Sequence, residues 1–330
     1  MKKKISKRTG ILIFCAVSLL MACLIIFHKN PNAHAGEEMA KKAVSVAVIA
    51  VSCILFATLY DKIVGLPVEL YQNRHLIWKL AKNDFKKRYA GSYLGAVWAM
   101  VQPVVTVVMY WLVFDVIMGS AGVAMRGGSD IPFVLFLTAG LVPWFYFNEA
   151  WTNGTMALLE YNYLVKKVVF KISILPIIKV IGATFTHVFF VCILLLIAGL
   201  YGYMPGLYTL QIFYYSFCTF MLVLALSYIT CSLVVFMRDV SQIISIILQI
   251  GMWATPIMWD FGAISPTWAK ILKLNPMVYI VNGYRDAIYG HSWFFEDFFS
   301  TMYFWIVTVV LFGIGALLFK KLKVHFADVL

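Results

Sequence analysis

Residues 172–200 read ISILPIIKVIGATFTHVFFVCILLLIAGL. The stretch is longer than the roughly 20 residues that carry a helix across the hydrocarbon core of a bilayer. It shows none of the short alternating segments of a membrane barrel strand. Working outward, seven more apolar runs approach or exceed the same length: Ile11–Phe27, Ala43–Tyr60, Tyr93–Met118, Ile131–Trp151, Leu210–Met237, Val240–Trp259 and Phe298–Phe319, with Ile172–Leu200 the fifth of eight in chain order. With 62% of the chain hydrophobic and 13% charged, a water-soluble domain cannot hide that much apolar surface. The expected fold class is all-α, a polytopic transmembrane helical bundle.

Charge sets the orientation. The net charge of +12 would suggest nucleic acid in a soluble protein. Here the basic residues gather at run ends, where they fix topology and meet anionic membrane lipids. Lys2, Lys3, Lys4, Lys7 and Arg8, the stretch Lys79–Arg88, then Lys166, Lys167 and Lys171, Arg238, and Lys320, Lys321 and Lys323 all fall on one side if the chain crosses eight times. Both ends are then cytoplasmic, and nucleic acid is not an expected partner. The Lys-rich start followed by Ala33-His34-Ala35 also resembles a cleavable signal peptide, although the apolar stretch is longer than usual for one. The six cysteines lie inside runs without a CxxC spacing and read as small apolar residues; the six histidines are scattered, so no metal site is expected.

Three parts follow along the chain: a transmembrane hairpin at 1–66, an amphipathic cytoplasmic interfacial helix at 67–92, and a six-span core at 93–330. In the interfacial segment Leu70, Ile77, Trp78, Ala81, Phe85 and Tyr89 share one helical face, and His75, Lys79, Lys82 and Lys86 lie roughly opposite. Arg88 projects onto the apolar side, where a charge needs a partner, either Asp84 one turn earlier or a phosphate. Glu149, inside the Ile131–Trp151 run near its cytoplasmic end, is expected either to snorkel to the interface or to pair with a basic residue of this helix.

Two runs carry polar and aromatic residues in register: Trp98, Gln102, Thr106 and Tyr110 on one, Gln242, Ser245, Gln249 and Trp253 on the other. Polar groups in hydrocarbon face protein or water, so each row is expected to face inward. Such rows serve either helix–helix hydrogen bonding or a polar pathway. Aromatic rings that pack on sugar C–H faces, with amides that bond hydroxyls, suit a glycan. His187 reads as a packing residue. Between Asp260 and Asp297, apolar residues interrupted by Pro266 and Pro276 predict two short helices dipping partway into the membrane. No GxxxxGK[ST], HExxH or GxSxG occurs, so no catalytic residues and no ATP site are expected in this chain.

Together these segments resemble the permease subunit of ABC-2 type exporters, and more narrowly its O-antigen and teichoic acid (polysaccharide) export branch. The resemblance rests on Arg88-Tyr89-Ala90-Gly91-Ser92-Tyr93-Leu94-Gly95 running to Trp98 and Gln102-Pro103, then Gly140-Leu141-Val142-Pro143-Trp144. Further on it rests on Phe236-Met237-Arg238-Asp239-Val240, Thr255-Pro256-Ile257, Asn275-Pro276-Met277 and Tyr284-Arg285, spread over roughly residues 75–290. It implies a homodimer in the cytoplasmic membrane of a bacterium, paired with two copies of a separate ATP-binding subunit that holds ATP and Mg2+. The segment Leu159–Val169 would dock on that subunit through Tyr163, Lys166 and Lys167. An extracytoplasmic gate would include Trp259, Asn275, Pro276 and Arg285. A polyprenyl-diphosphate-linked polysaccharide would enter at Arg88 and travel along the two rows. The sequence departs from the family in Phe170-Lys171, where Phe-Pro is frequent, and in the additional hairpin 1–66. The competing readings are an ABC-2 exporter of a drug or small lipid, and an integral-membrane transferase using a lipid-linked donor. The transferase would require acidic or histidine residues clustered in the loops, which lack them.

Overall fold

The computed structural model describes residues 7–27, 35–88, 93, 95–117, 119, 123–124, 130–165 and 171–330. Among the described residues the regular structure is helical apart from an antiparallel pair of two-residue strands, β1 (Val123–Ala124) and β2 (Asp130–Ile131). It forms two compact units, Met1–Gln72 and Asn73–Leu330.

In the first unit, α1 (Lys7–Phe27) and α2 (Ala35–Ile63) run antiparallel. The rings of Phe14 and Phe56 stack at 3.9 Å between centroids, and Tyr60 sits over Gly10. A short α3 (Gly65–Gln72) completes the unit. As far as residue 88 the expected interfacial segment at 67–92 is split between two helices, and residues 89–92 lie outside the described residues. The segment breaks at Asn73, and the division between units falls there rather than near residue 66.

The second unit opens with α4 (Arg74–Arg88), followed by α5 (Trp98–Trp111), which continues as a π-helical segment over Leu112–Ile117. Then come α6 (Phe133–Glu160), the single turn α7 (Asn162–Val165), α8 (Leu175–Leu200), α9 (Gln211–Val234) and α10 (Val240–Ala254). The chain closes with α11 (Pro266–Leu272), α12 (Pro276–Arg285), α13 (Phe298–Leu322) and α14 (Phe326–Val329). The core is built on α6, most of which is buried, with α8, α9 and α12 packed around it and α13 against α9.

Among the described residues six stretches are long and apolar enough to cross a membrane: Arg8–Phe27, Lys42–Tyr60, Phe133–Glu160, Ile172–Leu200, Leu207–Val234 and Phe298–His325. The other two expected spans are shorter as regular apolar helix. The run Val240–Trp259 stops at Ala254 because Thr255 precedes Pro256 and takes an extended backbone (φ −94°, ψ 136°). At 1.5 Å per residue α10 is about 22 Å long, short of the ~30 Å hydrocarbon core.

The two short helices expected after it are present. Only α12 is packed into the bundle, burying Met277, Val278, Ile280, Val281 and Tyr284, whereas Trp268 and Ile271 of α11 stay exposed. Asn275 caps α12, its Oδ1 accepting from the Met277 N–H at 3.0 Å, and Pro276 fills the first helical position.

Candidate functional site

The α10 row is the first correction. Val240, Ile244 and Leu248 bury one stripe against the bundle, and Gln242, Ser245, Gln249 and Trp253 lie on the exposed faces, Trp253 being 69% exposed. The row therefore faces away from its own protomer's core, not into it. Helical geometry makes this unavoidable once three aliphatic residues at four-residue spacing have taken the inner stripe. Gln242 and Ser245 open onto a recess shared with Thr152, Thr155 and Met156 of α6. On α5, Trp98 is likewise exposed, while Thr106 and Tyr110 are half-buried; the side chain of Gln102 lies outside the described residues.

Four of the segments quoted as motifs, those at Gly140, Thr255–Ile257, Asn275–Met277 and Tyr284-Arg285, meet near the first turns of α6. Arg285 is buried, its Nη2 donating to the Ile257 carbonyl at 3.0 Å, with the guanidinium carbon 3.5 Å from the centroid of the Phe136 ring. Gly140 lies against both partners: a Cβ there would sit 3.3 Å from Ile257 and 3.4 Å from Arg285. Asn275 Nδ2 donates to Thr255 Oγ1 at 2.8 Å, tying the cap of α12 to the turn that ends α10. Trp259 Nε1 donates to the Trp253 carbonyl at 3.0 Å across the same turn. Gly283 sits under the Tyr215 ring, where a methyl group would overlap it. Three of the four expected gate residues, Asn275, Pro276 and Arg285, thus share one packed node, and Trp259 closes its rim.

A different arrangement holds the opposite end of α6. Lys179 Nζ, on the first turns of α8, lies 2.8 Å from Asp84 Oδ1 of α4 and 2.6 Å from Glu160 Oε2 at the end of α6. Lys179 and Asp84 are both buried. The Tyr161 hydroxyl donates to the same Asp84 oxygen, and Lys179 lies over the Tyr161 ring at 4.8 Å. Burial, and the Asp84 carboxylate beside it, push the Tyr161 phenol upward, so it remains a donor at neutral pH. Arg88 Nη1 contacts Glu149 Oε1 at 2.6 Å, and its Nη2 is 4.0 Å from Asp84 Oδ2. Glu149 thus pairs with a basic residue of the interfacial helix, one of the outcomes expected of it. Phe185 of α8 receives Trp78 and Phe85 of α4 at 5.5 and 5.4 Å, fixing the helix on its apolar side.

Lys179 is the residue that sequence reasoning missed. Its signal was a lone cation inside the Ile172–Leu200 run, and an ionisable group there marks function by default. Of the expected docking residues, Tyr163 is exposed on α7, two residues beyond Tyr161; Lys166 and Lys167 lie outside the described residues. His187 is a packed polar residue: its Nε2 is 3.0 Å from Ser216 Oγ and 2.9 Å from the Tyr284 hydroxyl, and its ring stacks on Tyr146 at 4.3 Å. That contact links α8 and α9 to α12 through the residue beside Arg285.

The second unit is a helical membrane bundle with the short α12 packed at one end of α6 and the ion-paired α4 at the other. The chain belongs to the ABC-2 type transporter family, which matches residues 75–289. It is similar to the O-antigen export system permease protein RfbA of Myxococcus xanthus, at 29% identity over 262 residues covering 79% of this chain and 97% of the relative. A permease of the same name from Klebsiella pneumoniae is 25% identical over 257 residues, covering 77% of this chain and 95% of its own. The helices α1 to α3 precede the family match.

Proposed function

We propose that this chain is the permease subunit of an ATP-driven exporter that moves a polyprenyl-diphosphate-linked polysaccharide out of the cytoplasm. The observation that carries the reading is the polar and aromatic row on the exposed side of α10, in a chain whose relatives are named O-antigen export permeases. Gln242, Ser245 and Gln249 cannot be left against lipid tails, so they need a protein or aqueous neighbour. A second copy of this chain, facing the first across α5 and α10, supplies that neighbour and encloses a pathway between the two rows. Glycan hydroxyls bond the amides there, and sugar faces pack on Trp98, Tyr110 and Trp253.

In this reading both termini are cytoplasmic in a bacterial inner membrane, as the Lys/Arg distribution favours. The α4 end is then the entrance and the Arg285 node the outer gate. Two copies of a separate ATP-binding subunit dock at Tyr163, Lys166 and Lys167 and supply the hydrolysis. Arg88 meets the lipid diphosphate in exchange for Glu149, since a guanidinium grips phosphate oxygens in pairs.

The test is reconstitution of the chain with its ATP-binding subunit in vesicles containing a polyprenyl-diphosphate-linked glycan. The expected result is ATPase stimulation by that lipid, strongly reduced by Arg88→Lys and much less by Glu149→Gln. ATP hydrolysis by the purified chain alone would sink the assignment. Stimulation by drug-like molecules or small lipids and not by the glycan lipid would move it to the other branch of exporters.

A further inference from the structure

The ionic cluster around Lys179 joins two elements to which the proposed function gives separate tasks. On one side is the corner Glu160–Tyr161, directly before the exposed docking turn of α7. On the other is α4, which carries Arg88. Lys179 holds both at once, with Asp84 at 2.8 Å and Glu160 at 2.6 Å, while the Tyr161 hydroxyl bonds the same Asp84 oxygen. From there the chain of contacts runs outward in both directions. The Tyr161 and Tyr163 rings are 6.1 Å apart, and Asp84 Oδ2, which has no hydrogen-bond partner among the described residues, lies 4.0 Å from Arg88.

We propose that Lys179 is a positioning residue that makes the docking corner and the entrance helix move as one body, so that displacement of Tyr163 by the partner ATPase reaches Arg88. The inference rests on the reading that α7 and the residues after it form the docking segment. Its physical basis is the cost of separating buried charges: parting Lys179 from Asp84 leaves a charge buried and unpaired, so the elements that carry them are held together. The path from Tyr163 to Arg88 runs from the Tyr163 ring to the Tyr161 ring, through the Tyr161–Asp84 hydrogen bond and along the Asp84–Arg88 ion pair, with Lys179 holding Asp84 and Glu160 together, a contiguous physical connection rather than mere proximity. Phe185, packed on Trp78 and Phe85, keeps the upstream turns of α4 against α8 while the cluster holds its last turn.

The experiment uses the full complex with its ATP-binding subunit, in vesicles containing a polyprenyl-diphosphate-linked glycan. Two variants are compared with the native chain. Asp84→Asn combined with Lys179→Met removes both buried charges together, leaving Glu160 at the edge where water reaches it; Tyr161→Phe removes one link and leaves every charge in place. The expected result is intact co-purification and basal ATPase within about twofold, with substrate-stimulated ATPase and export reduced by about fivefold or more, the scale of an ordinary coupling between sites. Native stimulation and export in both variants would overturn the proposal. So would loss of folded protein in both, because the cluster would then be structural only. Failure of the underlying reading is read separately: Lys166→Glu with Lys167→Glu should abolish co-purification, and if it does not, the docking segment lies elsewhere.

Discussion

The two ends of α6 each hold another helix against the bundle, with different chemistry. At the α12 end the fit is steric. Gly140 and Gly283 admit Ile257 and Tyr215, and the buried cation Arg285 meets a backbone carbonyl and an aromatic face, with its Nε left without a hydrogen-bond partner among the described residues. At the α4 end Asp84, Glu160, Glu149, Lys179 and Arg88 are paired through side-chain charge. A buried ionic cluster either keeps its pairing or loses it, and losing one partner is costly. On the function proposed above, the steric end would be the outer gate and the ionic end the transmission point.

The comparison breaks most visibly at Lys179. Lys179→Met alone strands the buried Asp84 carboxylate and should destabilise the second unit by about 3–5 kcal/mol, seen as loss of monodisperse protein or a lowered Tm in detergent. Adding Asp84→Asn should recover much of it. Failure of that rescue would mean the charges are not held mainly by each other.

At the steric end Gly283→Ala should cost about 1–3 kcal/mol by overpacking against Tyr215. Combining it with Tyr215→Leu should restore most of the loss, and no restoration would place the clash elsewhere.

Arg285→Lys keeps the charge but loses the planar face over Phe136 and the fixed donor to Ile257. The expected cost is about 1–2 kcal/mol of stability, accompanied by leakage of small solutes through the reconstituted complex. Unchanged permeability would remove Arg285 from the gate.

The smallest effect on folding is expected at Trp253. Trp253→Ala should change protomer stability by no more than about 0.5 kcal/mol, because the ring is exposed on α10. Export should nevertheless fall. A variant that simply misfolds would return the residue to a packing role.

The amino-acid sequence alone determined the membrane-embedded helical class, because runs such as Ile172–Leu200 leave no other way to satisfy backbone and side chains together. Local chemistry also decided where α10 ends, at the residue before Pro256, and how α12 begins, at Asn275-Pro276. The possible pairing of Glu149 with the interfacial helix was legible from charge placement. Three things were decided only by the tertiary structure. The α10 row faces outward because the bundle takes the stripe Val240, Ile244 and Leu248, and a polar row looks alike from either side in one dimension. The scattered motifs at Gly140, Thr255, Asn275 and Arg285 become one node only when α6, α10 and α12 converge. Lys179 finds Asp84 95 positions away in sequence and Glu160 19 away. The strength of such pairing depends on distance and burial in space, and chain order encodes neither.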